Sequence, residues 1–411
     1  MLNPARPFLI ALRQRDLRVL FGGLVVSQAG DWLYNLALLA FVYERTGSTA
    51  WVGLTTAARI LPEVVLGPLG GVLADRHDRR VVMILSDVLR AASMGGLALV
   101  AFADAPIILA PVFAALCTAA GAAYPQCVVA VLPRLVAGED LAAANAARIS
   151  ITGLCVIAGP ALGAALLFLS SAAVTFAVNG ATFLVGAAVV AALPREALRR
   201  PAGAVEEVHA SIRSDLAIGW QALREHPDAL RLVGADIVSS AVYGALTVLF
   251  VLTGERLGLG AAGYGYLLSA LGVGAVLGAG LAHRAAASDR PRRALIAAAI
   301  AIAVPLMLLA LSGSVAAALV LVAGIGAGQL VTEVVADTTL QRSLDPTVFA
   351  RAYGLVVPAS VAGIAAGALL APPCVALIGL DGTLALTSAF VLAYGAVAFS
   401  RPQPAPVLES A

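Results

Sequence analysis

The stretch "LGPLGGVLADRHDRRVVMIL", residues 66–85, joins two strongly apolar runs through a short turn that holds two aspartates, three arginines and a histidine. An ionised side chain near the centre of a bilayer costs on the order of 2.5–3.5 kcal/mol, so this pattern fits two membrane-crossing segments joined in water at one face. The rest of the chain agrees. Of 411 residues, 61% are hydrophobic and 12% charged, against about 25% charged in soluble domains. An ordinary soluble protein is excluded, and a net charge of +2 gives no reason to expect a nucleic-acid partner.

The apolar runs predict an all-α membrane protein of twelve spans, near residues 17–43, 50–74, 81–103, 106–133, 146–169, 172–193, 229–253, 262–283, 293–312, 314–340, 349–372 and 377–399. The arginines fall at alternate ends: Arg76, Arg79, Arg80, Arg134 and Arg342 lie on the side of the termini, and only Arg45 and Arg256 on the other. The positive-inside rule then predicts both termini in the cytoplasm of a cell inner (plasma) membrane. The start carries four arginines and no small-residue cleavage site, so it reads as retained. Cys117, Cys127, Cys155 and Cys374 sit in apolar runs without metal-ligand spacing; neither metal nor cofactor is expected.

The polar stretch 194–228 divides the chain into an N-terminal six-helix bundle (1–193) and a C-terminal one (229–400), followed by a tail (401–411). Within the linker Val208, Ile212, Leu216, Trp220 and Leu223 recur at helical spacing, which predicts an amphipathic helix on the inner face. The halves resemble each other: "LRVLFGGLVVSQAGD" (17–31) answers to "LRLVGADIVSSAVYG" (230–244). Duplicated bundles of this kind are the plan of a transporter that rocks around a site between them.

Gly71, Asp75, Arg76, Asp78, Arg79 and Arg80 stand at the spacing G-x-x-x-D-R-x-D-R-R after the second span. Here the chain resembles the major facilitator superfamily, whose signature in that loop reads G-x-x-x-D-R-x-G-R-R/K; Asp78 replaces the usual glycine. The resemblance implies a gating loop in which charged groups latch helix ends in one state and release them in the other. In the fifth span Gly153, Gly159, Pro160 and Gly163 look like the G-P-x-x-G core of the superfamily's antiporter signature, associated with exporters. The fourth-span arginine of many drug exporters is absent, with Cys117 in its place. Overall the sequence is similar to the branch that includes bacterial siderophore exporters and macrolide efflux proteins.

Charges inside the spans need a partner or a purpose. Gln28, Asp31 and Asn35 share a helix face with Tyr34 beside them, and Arg59 and Glu63 lie four apart in the second span. Asp31, with Arg59 as its expected partner, and Glu63 are the candidate protonation sites. Asp87 and Arg90, three apart, are expected to serve the loop latch. In the second half Gly244 aligns with Asp31, leaving Asp236 and Tyr243 as a milder substrate-binding face beside Gln28, Tyr34 and Asn35 of the first. Glu333 and Asp337 are expected to meet Arg342 near the inner surface, or to form a second acidic site.

These residues predict proton-coupled export of a small amphiphilic molecule of drug, macrolide or siderophore type, by a monomer in contact with lipid, with a consequence for antibiotic resistance. An importer, a uniporter or a lysophospholipid flippase of the same fold is the alternative. No H-E-x-x-H, no protease-type aspartate pair and no Walker loop occurs, which argues against an enzyme and against ATP as energy source.

Overall fold

A segment that crosses a bilayer must satisfy its own backbone N–H and C=O groups, and helices do this internally. The computed structural model describes residues 14–136, 140–198, 212–260, 262–288, 290–344 and 346–399, in which all regular structure is helical. The first half contains α1 (Arg15–Thr46), α2 (Thr49–Arg76), α3 (Arg79–Phe102), α4 (Leu109–Gly121), α5 (Tyr124–Leu135), α6 (Leu141–Leu169) and α7 (Ala172–Ala192). Two short helices, α8 (Arg195–Leu198) and α9 (Ile212–Glu225), follow. The second half contains α10 (Pro227–Arg256), α11 (Ala262–Ala286), α12 (Pro291–Leu311), α13 (Val315–Ser343) and α14 (Pro346–Phe399).

Among the described residues nine helical stretches are long and apolar enough to cross a membrane, the last being Ala352–Ala398 with 47 residues. That stretch contains two crossings. Gly379 interrupts α14 with φ 73° and ψ 178°, a conformation that essentially only glycine adopts. It falls close to the boundary predicted between spans 349–372 and 377–399. The fourth predicted span, 106–133, is divided at Ala122 and Ala123 into α4 and α5, with Pro125 in the first turn of α5. Helices α2 and α6, with 28 and 29 residues, complete the set of long passages.

The two halves repeat one packing plan. In the first, α1 lies against α6 and α7, α3 against α7 and α4, and α2 against α4. In the second, α10 and α12 lie against α14, and α13 against α11 and α12. Between halves, α2 crosses α14 and α6 crosses α11. At the end remote from the termini one apolar core runs through both halves, from Tyr34, Leu38 and Val52 to Leu246, Phe250 and Tyr264. At the terminal end the cores are separate: Leu17, Met83 and Leu132 belong to the first half, Leu223, Leu340 and Val356 to the second. The seam is tight at the remote end, where Thr56 Oγ1 lies 3.5 Å from Thr247 Oγ1 and a Cβ on Gly53 would stand 2.3 Å from the Ala368 carbonyl oxygen. The molecule is therefore closed remote from its termini and parted toward them.

Part of the predicted linker helix is present as α9, packed on α14 with Leu223 buried at 1% exposure and Trp220 exposed. Val208 and the tail 401–411 lie outside the described residues, as do the side chains of Ile212 and Leu216.

Candidate functional site

Because the halves part toward the termini, polar side chains at mid-helix on α1, α2, α3 and α6 are left facing a cavity of about 570 Å³. Its lining includes Gln28, Asp31, Tyr34 and Asn35 from α1, Arg59 and Glu63 from α2, Arg90 from α3, Cys117 from α4, and Arg148 and Thr152 from α6. The α1 residues predicted to share one face do so, and all face this cavity.

The pairing differs from the expectation. Asp31 is held by Arg90, not by Arg59: Arg90 Nη2 donates to Asp31 Oδ2 at 2.7 Å and to Oδ1 at 2.9 Å. Arg90 Nη1 also lies 3.6 Å from Asp87 Oδ1, and the guanidinium carbon stands 3.8 Å above the centre of the Phe183 ring. The reason is depth. Arg90 sits near the middle of the 24-residue α3, level with Asp31 at mid-α1, and so serves the cavity and not the loop latch. Asp87 is fully buried behind it, against Gly186 of α7. Two charge-assisted bonds to one carboxylate, with a ring on the open face of the cation, restrain Arg90 firmly.

Arg59 and Glu63, four apart on α2, each line the cavity with no ion pair within 4.0 Å. Tyr34 and Asn35 are 3% and 4% exposed, and Tyr34 Oη and Asn35 Oδ1 have no hydrogen-bond partner. Gln28 Nε2 donates to Thr152 Oγ1 at 3.2 Å. Arg148 and Thr152 were not picked out from the sequence as cavity residues. The signal was there: both fall inside the predicted span 146–169, four residues apart and so on one helix face.

In the second half a cavity of about 400 Å³ is lined by Asp236, Ser240 and Tyr243 of α10, Gln329, Glu333 and Asp337 of α13, and Tyr353 and Ser360 of α14. Ser360 Oγ donates to Asp236 Oδ2, and Tyr353 Oη donates to Asp337 Oδ2 at 3.1 Å. Glu333 and Asp337 do not meet Arg342, which donates instead to the Ala286 carbonyl at 3.0 Å. Helical spacing turns Glu333 and Asp337 toward α10 and α14, away from the face of α13 that bears Arg342. Among the described residues, then, the first cavity is lined by three guanidiniums and two carboxylates, and the second by three carboxylates with no basic group.

A family model, that of the Major Facilitator Superfamily, matches residues 20–368. The chain belongs to the major facilitator superfamily. It is 29% identical over 243 residues to the uncharacterized MFS-type transporter YfiS of Bacillus subtilis (strain 168), covering 58% of this chain and 54% of that one. To macrolide efflux protein A of Streptococcus pyogenes it is 26% identical over 236 residues, 57% of each chain. The chain thus spans little more than half the length of these relatives. The crystal structure of the nucleoside transporter NupG has the same fold, with a TM-score of 0.77 at 12% identity over 93% of this chain and 98% of that one.

The superfamily's loop signature occupies the α2–α3 joint. Asp78, where the family has glycine, is the N-cap of α3 with φ −62° and ψ 113°, and its carboxylate accepts the Arg80 backbone N–H at 2.9 Å. The joint needs no glycine because its backbone is extended there. Arg80 donates to the carbonyls of Ala191 and Leu193 at the end of α7, where the helix dipole is negative, and Arg79 Nη1 to the Ala130 carbonyl at 3.3 Å. Gly71 and the side chains of Asp75 and Arg76 lie outside the described ones.

Of the signature on α6, Gly159 and Gly163 face α1: a Cβ there would stand 2.3 Å from Trp32 Cβ and 3.2 Å from Leu33 Cα, respectively. Gly153 has open space beside it, and the side chain of Pro160 is outside the described ones. The same crossing recurs between α10 and α14, where a Cβ on Gly244 would stand 1.9 Å from the Ile364 carbonyl oxygen. That contact gives the physical reason why glycine stands opposite Asp31 in the repeat.

Proposed function

We propose that this protein exports a small amphiphilic molecule of drug, macrolide or siderophore type by alternating access, driven by proton entry. The observation that carries the reading is the bidentate Asp31–Arg90 pair at mid-helix on the wall of the cavity. A carboxylate held by a guanidinium loses its charge when it takes a proton and keeps only a carbonyl oxygen as acceptor, so protonation weakens the hold of Arg90 on Asp31 and changes how α1 and α3 are tied together. Glu63 is the second candidate carrier, exposed to the same cavity.

Export as the direction is supported by the likeness to macrolide efflux protein A and by the glycines of α6 that bring it against α1 beside Asp31. The concentration of arginine at the terminal end supports cytoplasmic termini in the inner (plasma) membrane, so the conformation described faces inward. In this reading residues 1–193 and 229–400 are the rocking bundles, 194–228 is their cytoplasmic linker, and the joint with Asp78, Arg79 and Arg80 is the latch. Gln28, Tyr34 and Asn35 of one bundle and Asp236 and Tyr243 of the other contact substrate, and the monomer is the working unit.

Inside-out vesicles energised by respiration test this, with wild type compared against Asp31→Asn and Glu63→Gln while drugs, macrolides and siderophores are added. Substrate-triggered collapse of the pH gradient, lost in Asp31→Asn, is the expected result. Transport of labelled substrate with no proton movement would instead indicate a uniporter or a lipid-handling relative.

A further inference from the structure

Arg59 is a cation without a counter-ion in a place where cations are costly. It lies within α2, at the level of the polar face of α1, and no carboxylate comes within 4.0 Å of it. Asp31 is already occupied by Arg90, and Asp87 is buried behind Arg90 and does not reach the cavity. Glu63, one turn along α2, is exposed and unpaired, and Arg148 of α6 adds a further guanidinium with no ion pair. Tyr34 and Asn35, which line the same cavity, each carry a polar atom that the fold leaves unsatisfied, Tyr34 Oη and Asn35 Oδ1, on side chains at least nine-tenths buried. A buried hydroxyl or amide without a partner costs about 1–3 kcal/mol, so a ligand able to supply the missing bonds would be held there.

We infer that Arg59, with the Tyr34 hydroxyl, binds an anionic group of the transported molecule, a carboxylate or a group of like charge and shape, and that Asn35 takes an adjacent polar atom of the same molecule. This rests on the reading of the cavity as the substrate path. The chemistry is complementary: the guanidinium offers a fork of N–H donors, the phenol offers one O–H, and a carboxylate offers two acceptor oxygens. The second cavity, lined by Asp236, Glu333 and Asp337 with no basic group among the described residues, disfavours an anion and leaves the first cavity as its place. Arg59 is also within electrostatic reach of Tyr34 of the first half and of Tyr243 and Tyr264 of the second, which puts the anchor near the plane where the halves meet. An anion bound there contacts the surface that opens and closes.

The test uses the full-length protein in nanodiscs and two probes that differ only in charge, dansylglycine and its methyl ester. Dansyl emission excited through tryptophan reports binding near Trp32, which lines the cavity. Wild type is expected to bind the acid about ten-fold more tightly than the ester, the usual size of a hydrogen bond to a charged group. In Arg59→Gln that preference should fall below about two-fold through loss of acid binding alone, and Arg59→Lys, which keeps the charge, should recover part of it. Tyr34→Phe should weaken the acid several-fold and leave the ester unchanged. Equal binding of acid and ester by wild type, no binding of the acid, or a preference that survives Arg59→Gln would each overturn the inference. The comparison within wild type does not depend on any variant folding. No gradient is present, so a protein that passes this test yet moves no protons fails only as a proton-driven exporter.

Discussion

Replacing Arg90 by methionine should destabilise the protein by about 3 kcal/mol or more, whereas Asp31→Asn should cost about 1 kcal/mol. The asymmetry follows from what each change leaves behind. Arg90 is 13% exposed and serves two carboxylates, Asp31 at 34% exposure and Asp87 at 0%. Without the guanidinium, Asp31 can turn to water in the cavity and recover part of its hydration, but Asp87, enclosed between α3 and α7, has no such recourse and loses the cation beside it. Removing one partner of a buried pair typically costs about 3–5 kcal/mol for that reason, and the cation–ring contact with Phe183 adds about 1 kcal/mol to the loss. Asp31→Asn, in contrast, leaves Arg90 beside Asp87 and over Phe183, with an amide oxygen still able to accept one bond. The double variant should therefore lie near Arg90→Met alone, with a coupling energy of about 1 kcal/mol, and adding Asp87→Asn to Arg90→Met should restore stability. Denaturant-induced unfolding in one fixed detergent or nanodisc composition measures the cycle. Equal costs for the two single changes, or additivity within about 0.5 kcal/mol, would refute the placement of Arg90 as the shared partner.

A paired-cysteine variant, Thr56→Cys with Thr247→Cys, should cross-link on mild oxidation, since the two hydroxyl oxygens lie 3.5 Å apart, and the cross-link should stop transport by holding the remote end shut; gel mobility after cleavage between the halves and an uptake assay check both parts. Gly159→Val should abolish transport and lower the yield of folded protein, because its Cβ would stand 2.3 Å from Trp32 Cβ, while Gly153→Ala should behave as wild type in the same assays. Asp78→Ala should lose about 1 kcal/mol of stability through the missing N-cap, and Asp78→Gly only a few tenths, as read by unfolding. Gly244→Asp should fail to accumulate in the membrane on immunoblotting, because the new Cβ would meet the Ile364 carbonyl at 1.9 Å.

The course of the helices was legible in the sequence because a bilayer imposes length and apolarity on each passage, so 106–133 and 349–399 differ from expectation only where the chain breaks internally, at Ala122–Ala123 and Gly379. The face formed by Gln28, Asp31 and Asn35 was legible too, since helical spacing within one element is local information. Partners across helices were not. Asp31 could meet a cation from any neighbouring helix, and Arg59 and Arg90 are both candidates until the relative depth and rotation of α2 and α3 are known. The same holds for Glu333 and Asp337: proximity to Arg342 in the chain suggested a pair, but rotation about α13 directs them to different neighbours. The role of Asp78 was hidden for another reason, because an aspartate in a glycine position reads as a loss of freedom until the extended backbone shows it as a cap.

The asymmetry between the halves has a packing cause with a functional consequence. At the depth of Asp31 the second half carries Gly244, and the close approach of α10 to α14 excludes any side chain there. A carboxylate on α10 facing the cavity is therefore found at Asp236, eight residues and about 12 Å nearer the terminal end. In the conformation closed at its remote end, the carboxylates of the second half thus line the approach, and the guanidiniums of Arg59 and Arg90 lie deeper, beneath the shared core that begins at Tyr34. The guanidinium of Arg148, early in α6, lies on the terminal side as well, so it is Arg59 and Arg90 that form the deep positive end. On the proposed reading, the proton is exchanged at Asp31, deep in the first cavity and on the terminal side of the seam through Thr56 and Thr247. In that reading a carboxylate at this depth lies nearer the closed end than one at the depth of Asp236, which faces the open mouth.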